Sequence, residues 1–465
     1  MEIKNYDRIF DKILTTPPSN SLITMIIIKV KKSCCNEIWE QINKILQSIK
    51  TNDINSLKEE CYLGLPDDIP CLRALVWKYN LKYLPKDISK WEKVLNMKRE
   101  EYKEIKNAFV LRLEEEYKIF EELENTKDDI NKEKLLKLSN ETDRNLLETI
   151  NKDINRTHVQ FDFFSKPVQN ENEMKNEDLI KLVQEKKNCI YNDFKIIYSK
   201  RKDFIKNKKN ETHSDVIERI LYIYSKLNKD IGYVQGMNEL IAPIYFSFFR
   251  DDNNLEETNI NIENVEADSF WCFSNLIKDI KNIYMKEKDN EEGGIFQIVN
   301  KFEKLIEIYD FELFKLFKNN NVSFMHISFR WFTLFFSQDF LMPDILRLWD
   351  IFFCEDNKLY FVYYFSLGLI AYKKNKIINK DFFHIVQEFQ NLSELDVEEI
   401  IDISVQIKNN YGKKIDHIIL NNNKSIHHEK SSFIKKITST FKKQSSNKKE
   451  IKRFSMANQI ITPKK

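Results

Sequence analysis

Apolar residues recur every three or four positions through most of this chain, a period that predicts helices rather than strands. The clearest case is residues 212–227. There Val216, Ile217, Ile220, Leu221, Ile223, Tyr224 and Leu227 form one stripe, and Thr212 with Asp215 predicts a capped start. The run Asn228-Lys229-Asp230-Ile231-Gly232 ends that helix, so Gln235 falls in or next to a connection between helices. The next helix carries Leu240, Pro243 and Tyr245, with a kink expected at Pro243. Further upstream, Leu146, Leu147, Ile150 and Ile154 predict another helix, on which Asp153 and Arg156, three apart, face the same side.

The same period predicts helices over 36–50, from Pro70 onward, and over 92–139 as one or two exposed helices. Later ones are expected over 267–285, 295–317, 328–340, 344–353 and 360–372, with two shorter ones to about residue 410. Residues 15–20, 166–188 and 251–261 read as loops, and no internal repeat or heptad run stands out. Only 7 Gly and 9 Pro interrupt 465 residues, which fits an all-α, multi-helix fold.

Composition adds a compartment and a charge asymmetry. The chain is 42% hydrophobic and 31% charged, an ordinary globular balance. Its cysteines, Cys34, Cys35, Cys61, Cys71, Cys189, Cys272 and Cys354, are odd in number and contain no C-x-x-C, so neither a disulfide framework nor a zinc site is expected, and a reducing, cytoplasmic setting is. The first twelve residues lack a signal-peptide pattern, and the apolar run 22–30 is too short to cross a bilayer of about 30 Å. The formal net charge is +2, yet residues 421–465 hold twelve Lys or Arg against Glu429 and Glu450. That makes the tail +10 and the body −8. The tail lacks a core pattern and is expected to be disordered. Phe433, Ile434, Ile437 and Phe441, interleaved with lysines, suggest peripheral contact with an anionic membrane; the plainer alternative, a solvated extension, is slightly favoured. With an acidic body and no reading motif, nucleic acid is not an expected partner.

Two segments carry candidate chemistry: Ile150-Asn151-Lys152-Asp153-Ile154-Asn155-Arg156-Thr157 and Gly232-Tyr233-Val234-Gln235-Gly236-Met237-Asn238-Glu239. A guanidinium can neutralise charge growing on a transferring phosphoryl group, and a carboxamide can orient the attacking water. Taken singly, each residue has a plainer reading. Asp153 and Arg156 are ordinarily a surface ion pair, Gln235 a solvated loop residue and Tyr233 a core aromatic.

In order and spacing, however, these segments resemble landmarks of the TBC-domain Rab GTPase-activating protein family. Ile150, Asp153, Arg156 and Thr157 match its I-x-x-D-x-x-R-T, and Tyr233, Gln235, Gly236, Met237 and Asn238 match its Y-x-Q-G-M-N. Gly64, Pro66, Leu72, Arg73 and Trp77 are similar to its opening G-x-P and L-R-x-x-x-W, while Phe329-Arg330-Trp331 and Leu348-Trp349-Asp350 are similar to its later landmarks. The likeness spans about residues 57–410 and is strongest to the member-thirteen branch, through residues 266–273 and 337–344. His158 stands where a proline is common, and Gln338 where many members have glutamate.

The resemblance implies a TBC domain over 57–415, preceded by a helical or variable segment 1–56 and followed by the basic tail 416–465. It implies a partner, a Rab-family small GTPase in its GTP form, and a role in vesicle trafficking on endomembranes. Arg156 and Gln235 would be fingers donated to the partner's nucleotide. Asp153 would hold the arginine, and Thr157, Tyr233, Gly236 and Asn238 would support the loops and the contact surface. The chain would have no cofactor of its own, since GTP and Mg²⁺ belong to the partner. A catalytically silent Rab-binding scaffold is the alternative. Arg330, Trp331, Trp349 and Asp350 are expected in the core, with Arg347 and Asp350 as an internal ion pair.

Overall fold

Helix after helix forms where the apolar period predicts one. The computed structural model describes residues 36–67, 69, 71–124, 141–158, 161–168, 211–253, 261–291 and 293–420, and among them there are fifteen α-helices and no strand. The one backbone bridge recorded outside helices joins Pro167 to Thr212. The described residues up to Asp279, together with Ile345–Cys354, form one compact unit. Those of Ile280–Asp344 and from Glu355 onward form a second.

The first unit holds α1 (Asn36–Thr51), α2 (Ile54–Leu63), α3 (Leu72–Asn80), α4 (Trp91–Glu124), α5 (Glu141–Ile154), α6 (His213–Leu227), α7 (Met237–Asn253) and most of α8 (Ile262–Ile280). It also holds most of α12 (Met342–Cys354). Helix α1 buries Ile42, Ile45 and Ile49 and packs on α2, while Gln41 donates to the Gly64 carbonyl at 2.9 Å. Helix α3 has only nine residues, yet eight of them are buried, two of them charged. The partner of Arg73 and Trp77 is Asp350 of α12, which takes Arg73 Nε at 3.0 Å and Trp77 Nε1 at 2.8 Å. Arg347 instead donates to the carbonyls of Cys61 and Tyr62 at the end of α2. Arg347, three residues before Asp350, also favours the charged carboxylate electrostatically, while the hydrogen-bonded partner Arg73 lies 277 residues away in sequence.

Two buried carboxylates on α8 tie this unit together. Glu266 accepts from Arg219 of α6, Tyr102 and Lys106 of α4. Asp268 accepts from Lys78 of α3, Arg99 of α4 and Tyr83. A buried charge is tolerated only when paired, and the Glu266–Arg219 pairing ties α8 to α6, the helix that leads into the glutamine segment. Its predicted start is present as a full capping box between Thr212 and Asp215.

The second unit contains α9 (Ile295–Tyr309), α10 (Phe311–Asn319), α11 (Phe324–Leu334), α13 (Tyr360–Ile377), α14 (Phe382–Glu388) and α15 (Val397–Leu420). Phe302, Trp331, Phe332, Phe336 and Phe365 build its aromatic core. Helices α13 and α15 approach so closely at Gly368 that a Cβ there would stand 2.1 Å from Ser404 Oγ.

Several boundaries differ from expectation for local reasons. The helix expected over 295–317 is two, because Asp310 (φ −149°) ends α9 and caps α10 through the Leu313 amide. The helix expected over 328–340 begins earlier and stops at Leu334, where Phe335 and Phe336 take φ of 52° and 60°. The last helix is not short, running 24 residues. Helix α7 continues through Pro243 to Asn253. The run 22–30, residues 125–139, the loop 169–188 and the basic tail beyond residue 420 lie outside the described residues, as does Pro70.

Candidate functional site

Helix α5 ends at Ile154, and residues 155–158 continue as a turn held by amide bonds from Asn155 to Asn151, Arg156 to Asp153 and Thr157 to Ile154. This turn lifts Arg156 out of the helix. Its guanidinium is 46% exposed and pairs with Asp153, whose side chain is only 4% exposed. The exposed half of that pair contributes little stability. What it does is hold a long cationic side chain over a buried acid.

The second segment arrives from the end of α6. Gly232, at φ +65°, closes the turn from Asn228, and Gly236, at φ +101°, opens α7. Both values favour glycine because an L side chain clashes there. Between them Gln235 is half-buried, and among the described residues its side chain has no hydrogen-bond partner.

The two segments meet through side chains. Tyr233 donates its hydroxyl to Asp153 Oδ2 at 2.7 Å, and the Gly236 amide also supports that carboxylate. Asn238 donates to Thr157 Oγ1 at 2.8 Å, while Thr157 donates to the Asp153 carbonyl at 3.0 Å. Burial raises the Asp153 carboxyl above its ordinary range, against the opposing pull of Tyr233, Arg156 and the Gly236 amide. Burial also raises the Tyr233 hydroxyl, reinforced by Asp153, so tyrosine remains a donor. All seven residues singled out from sequence therefore lie in two connected segments of one unit, Asp153 in the last turn of α5, Asn238 in the first turn of α7 and the others in the adjoining turns. Asp153, Thr157, Tyr233, Gly236 and Asn238 form the linked platform, with Arg156 exposed beside Asp153 and Gln235 half-buried in the loop between Tyr233 and Gly236.

Comparison with known proteins agrees with this reading of the fold. Residues 169–378 match the model of the Rab-GTPase-TBC domain. Over that stretch the chain is similar to the TBC-domain family. The match takes in Tyr233, Gln235, Gly236 and Asn238 and begins after Asp153, Arg156 and Thr157. The chain is 28% identical over 389 residues to human TBC1 domain family member 13, covering 76% of this chain and 94% of that one. It is also 28% identical over 155 residues to the GTPase-activating protein GYP1 of Saccharomyces cerevisiae, covering 30% of this chain and 24% of that one. The crystal structure of the Ypt/Rab-GAP domain of Gyp1p superposes with a TM-score of 0.56 at 20% identity, covering 81% of this chain and 100% of that one, which shows a shared fold.

The TBC landmarks outside the two turns build structure. Trp331, Trp349 and Asp350 are fully buried, and Arg330 pairs with Asp339. Among the described residues no cluster of three His, Cys, Asp or Glu could hold a metal, and no helix is long and apolar enough to cross a membrane. Sequence reasoning passed over Glu239. It is buried at 2% exposure beside Asn238, and its signal was an acid in the first turn of α7 directly before the apolar run that starts at Leu240.

Proposed function

We propose that this protein is a GTPase-activating protein that accelerates GTP hydrolysis by a Rab-family small GTPase in vesicle trafficking. The match to the Rab-GTPase-TBC domain and the similarity to the yeast GTPase-activating protein GYP1 support the general activity. The union of the two turns through Asp153, Thr157, Tyr233 and Asn238 supports a dual-finger mechanism.

In that mechanism the partner brings GTP and Mg²⁺. Arg156 neutralises charge developing on the transferring phosphoryl group, and Gln235 orients the attacking water. Asp153 keeps the guanidinium aimed, while Tyr233, Gly236 and Asn238 keep Asp153 and the glutamine loop in register. An arginine supplied in trans is worth about 10³–10⁵ in rate, or about 4–7 kcal/mol of barrier. The protein acts from the cytoplasm on endomembrane surfaces, with the basic tail either a solvated extension or a further attraction to anionic lipid.

The test is single-turnover GTP hydrolysis across a Rab panel with wild type, Arg156→Ala and Gln235→Ala. Wild type is expected to accelerate at least one Rab, and each variant to lose most of that acceleration. A wild-type chain that binds a Rab without changing its rate would instead be a scaffold. Variants that keep full activity would remove the two fingers from the mechanism.

A further inference from the structure

The turn bearing Arg156 ends at His158 in an uncommon conformation. Its φ is +42°, in the left-handed region that non-glycine residues seldom occupy. Such a backbone persists only when its surroundings hold it. Three contacts are on hand. The His158 carbonyl accepts from the Phe161 amide at 2.7 Å, and the imidazole stacks on Phe164. The third is Glu239, whose Oε2 stands 3.4 Å from His158 Nε2.

That third contact is unusual on both sides. His158 Nε2 is buried and makes no hydrogen bond, so a polar atom inside the protein faces a carboxylate without engaging it. Burial pushes the imidazole down to about 4, which leaves it neutral near pH 7. Glu239 is equally buried, and its other oxygen accepts from Asn238 Nδ2 at 2.9 Å. The same Asn238 nitrogen lies on Thr157 Oγ1. One carboxylate at the start of α7 thus reaches both residues that follow Arg156: Thr157 through Asn238, and His158 directly.

We infer that His158 and Glu239 are positioning residues, a latch between the arginine turn and the helix that follows the glutamine loop, loosely made in the free chain and drawn into a hydrogen bond when a Rab engages Arg156. This rests on the proposed GTPase-activating function. Hydrogen bonds in unliganded sites are often long and tighten only in the loaded complex. The gap of 3.4 Å needs only a few tenths of an ångström to become a normal N–H···O bond. Because misplacing a reacting group by about 1 Å can cost 10²-fold, a latch at this point acts on rate more than on binding.

Three variants separate the latch from plain packing. Glu239→Gln keeps the shape, His158→Gly keeps the backbone conformation without the ring, and the double variant removes both partners. With a Rab that wild type activates, each single variant is expected to lower kcat by about tenfold, with KM within about twofold. The double variant should be no slower than the worse single one. Additive losses, or a rise in KM with kcat unchanged, would overturn the latch. A second readout does not depend on activity: the Arg156 Nε–Hε resonance of the free protein should move in Glu239→Gln, while Arg156 remains paired with Asp153. An unmoved resonance would also overturn the latch. A wild-type chain that activates no Rab, with that resonance still shifted, would sink the proposed function and leave the coupling standing.

Discussion

Tyr233 donates its hydroxyl to Asp153 across eighty residues of sequence, at 2.7 Å. The bond joins the arginine turn to the glutamine loop and helps keep a buried carboxylate charged against the cost of desolvation. Tyr233→Phe removes it without changing the ring. Hydrogen bonds to charged groups contribute about 1.5–3 kcal/mol, so a stability loss in that range is expected in urea denaturation. The Asp153 carboxyl should move further up, as read by carboxyl NMR titration, and GTPase activation should fall in parallel.

Gly236 sets the loop that carries Gln235. At φ +101° any Cβ is strained. Gly236→Ala is expected to cost about 1–2 kcal/mol. Because the Gly236 amide also supports Asp153, this variant should weaken the arginine side of the site as well. Circular dichroism melts give the first effect. Loss of activation beyond that of Gln235→Ala alone gives the second.

Arg73 and Asp350 are both buried, and Asp350 is wholly inaccessible. Arg73→Ala leaves that acid with Trp77 as a remaining donor. Breaking a buried pair on one side costs about 3–5 kcal/mol. The double variant Arg73→Ala/Asp350→Ala should recover part of the loss, since no charge is then stranded. Chemical denaturation of the four members of this cycle measures the coupling.

Acid should destabilise the protein in two overlapping stages. Burial lowers His213 to about 3 and His158 to about 4, against an ordinary 6.5, so below pH 6.5 the unfolded chain takes up protons that the folded chain refuses. Stability from these groups is therefore full above pH 6.5 and is lost as pH falls toward 3. Glu266 and Asp268, although desolvated, are held near 2 by Arg219 and Lys78 first among their cationic neighbours. Their contribution is full above about pH 4.5 and is lost as pH falls toward 2. A plot of unfolding free energy against pH should decline from 6.5 and steepen below 4.5. His213→Gln should flatten the upper part.

The elements were legible in sequence where a single local signal decides them. The stripe Val216–Leu227 with the Thr212–Asp215 box is one such case, and the glycine-flanked connection holding Gln235 is another. Asp310 shows the limit. An aspartate inside an apolar period reads as a tolerated helix residue, yet its side chain takes the Leu313 amide and splits the helix. Asp350 shows the other limit, because helical spacing points only to Arg347 and packing adds the hydrogen bonds from Arg73. Likewise Glu239 and His158 adjoin the recognised segments, but only the folded backbone brings them together.

The platform under Arg156 also has an order of assembly. Asp153 receives Tyr233 and the Gly236 amide, and Thr157 receives Asn238, so every cross-link is made by chain that is synthesised later. A nascent chain with α5 complete carries the arginine but lacks the scaffold that aims it. The arrangement becomes available only after residue 238 has emerged and α7 has begun to form. A message truncated before that point would yield the arginine without its platform.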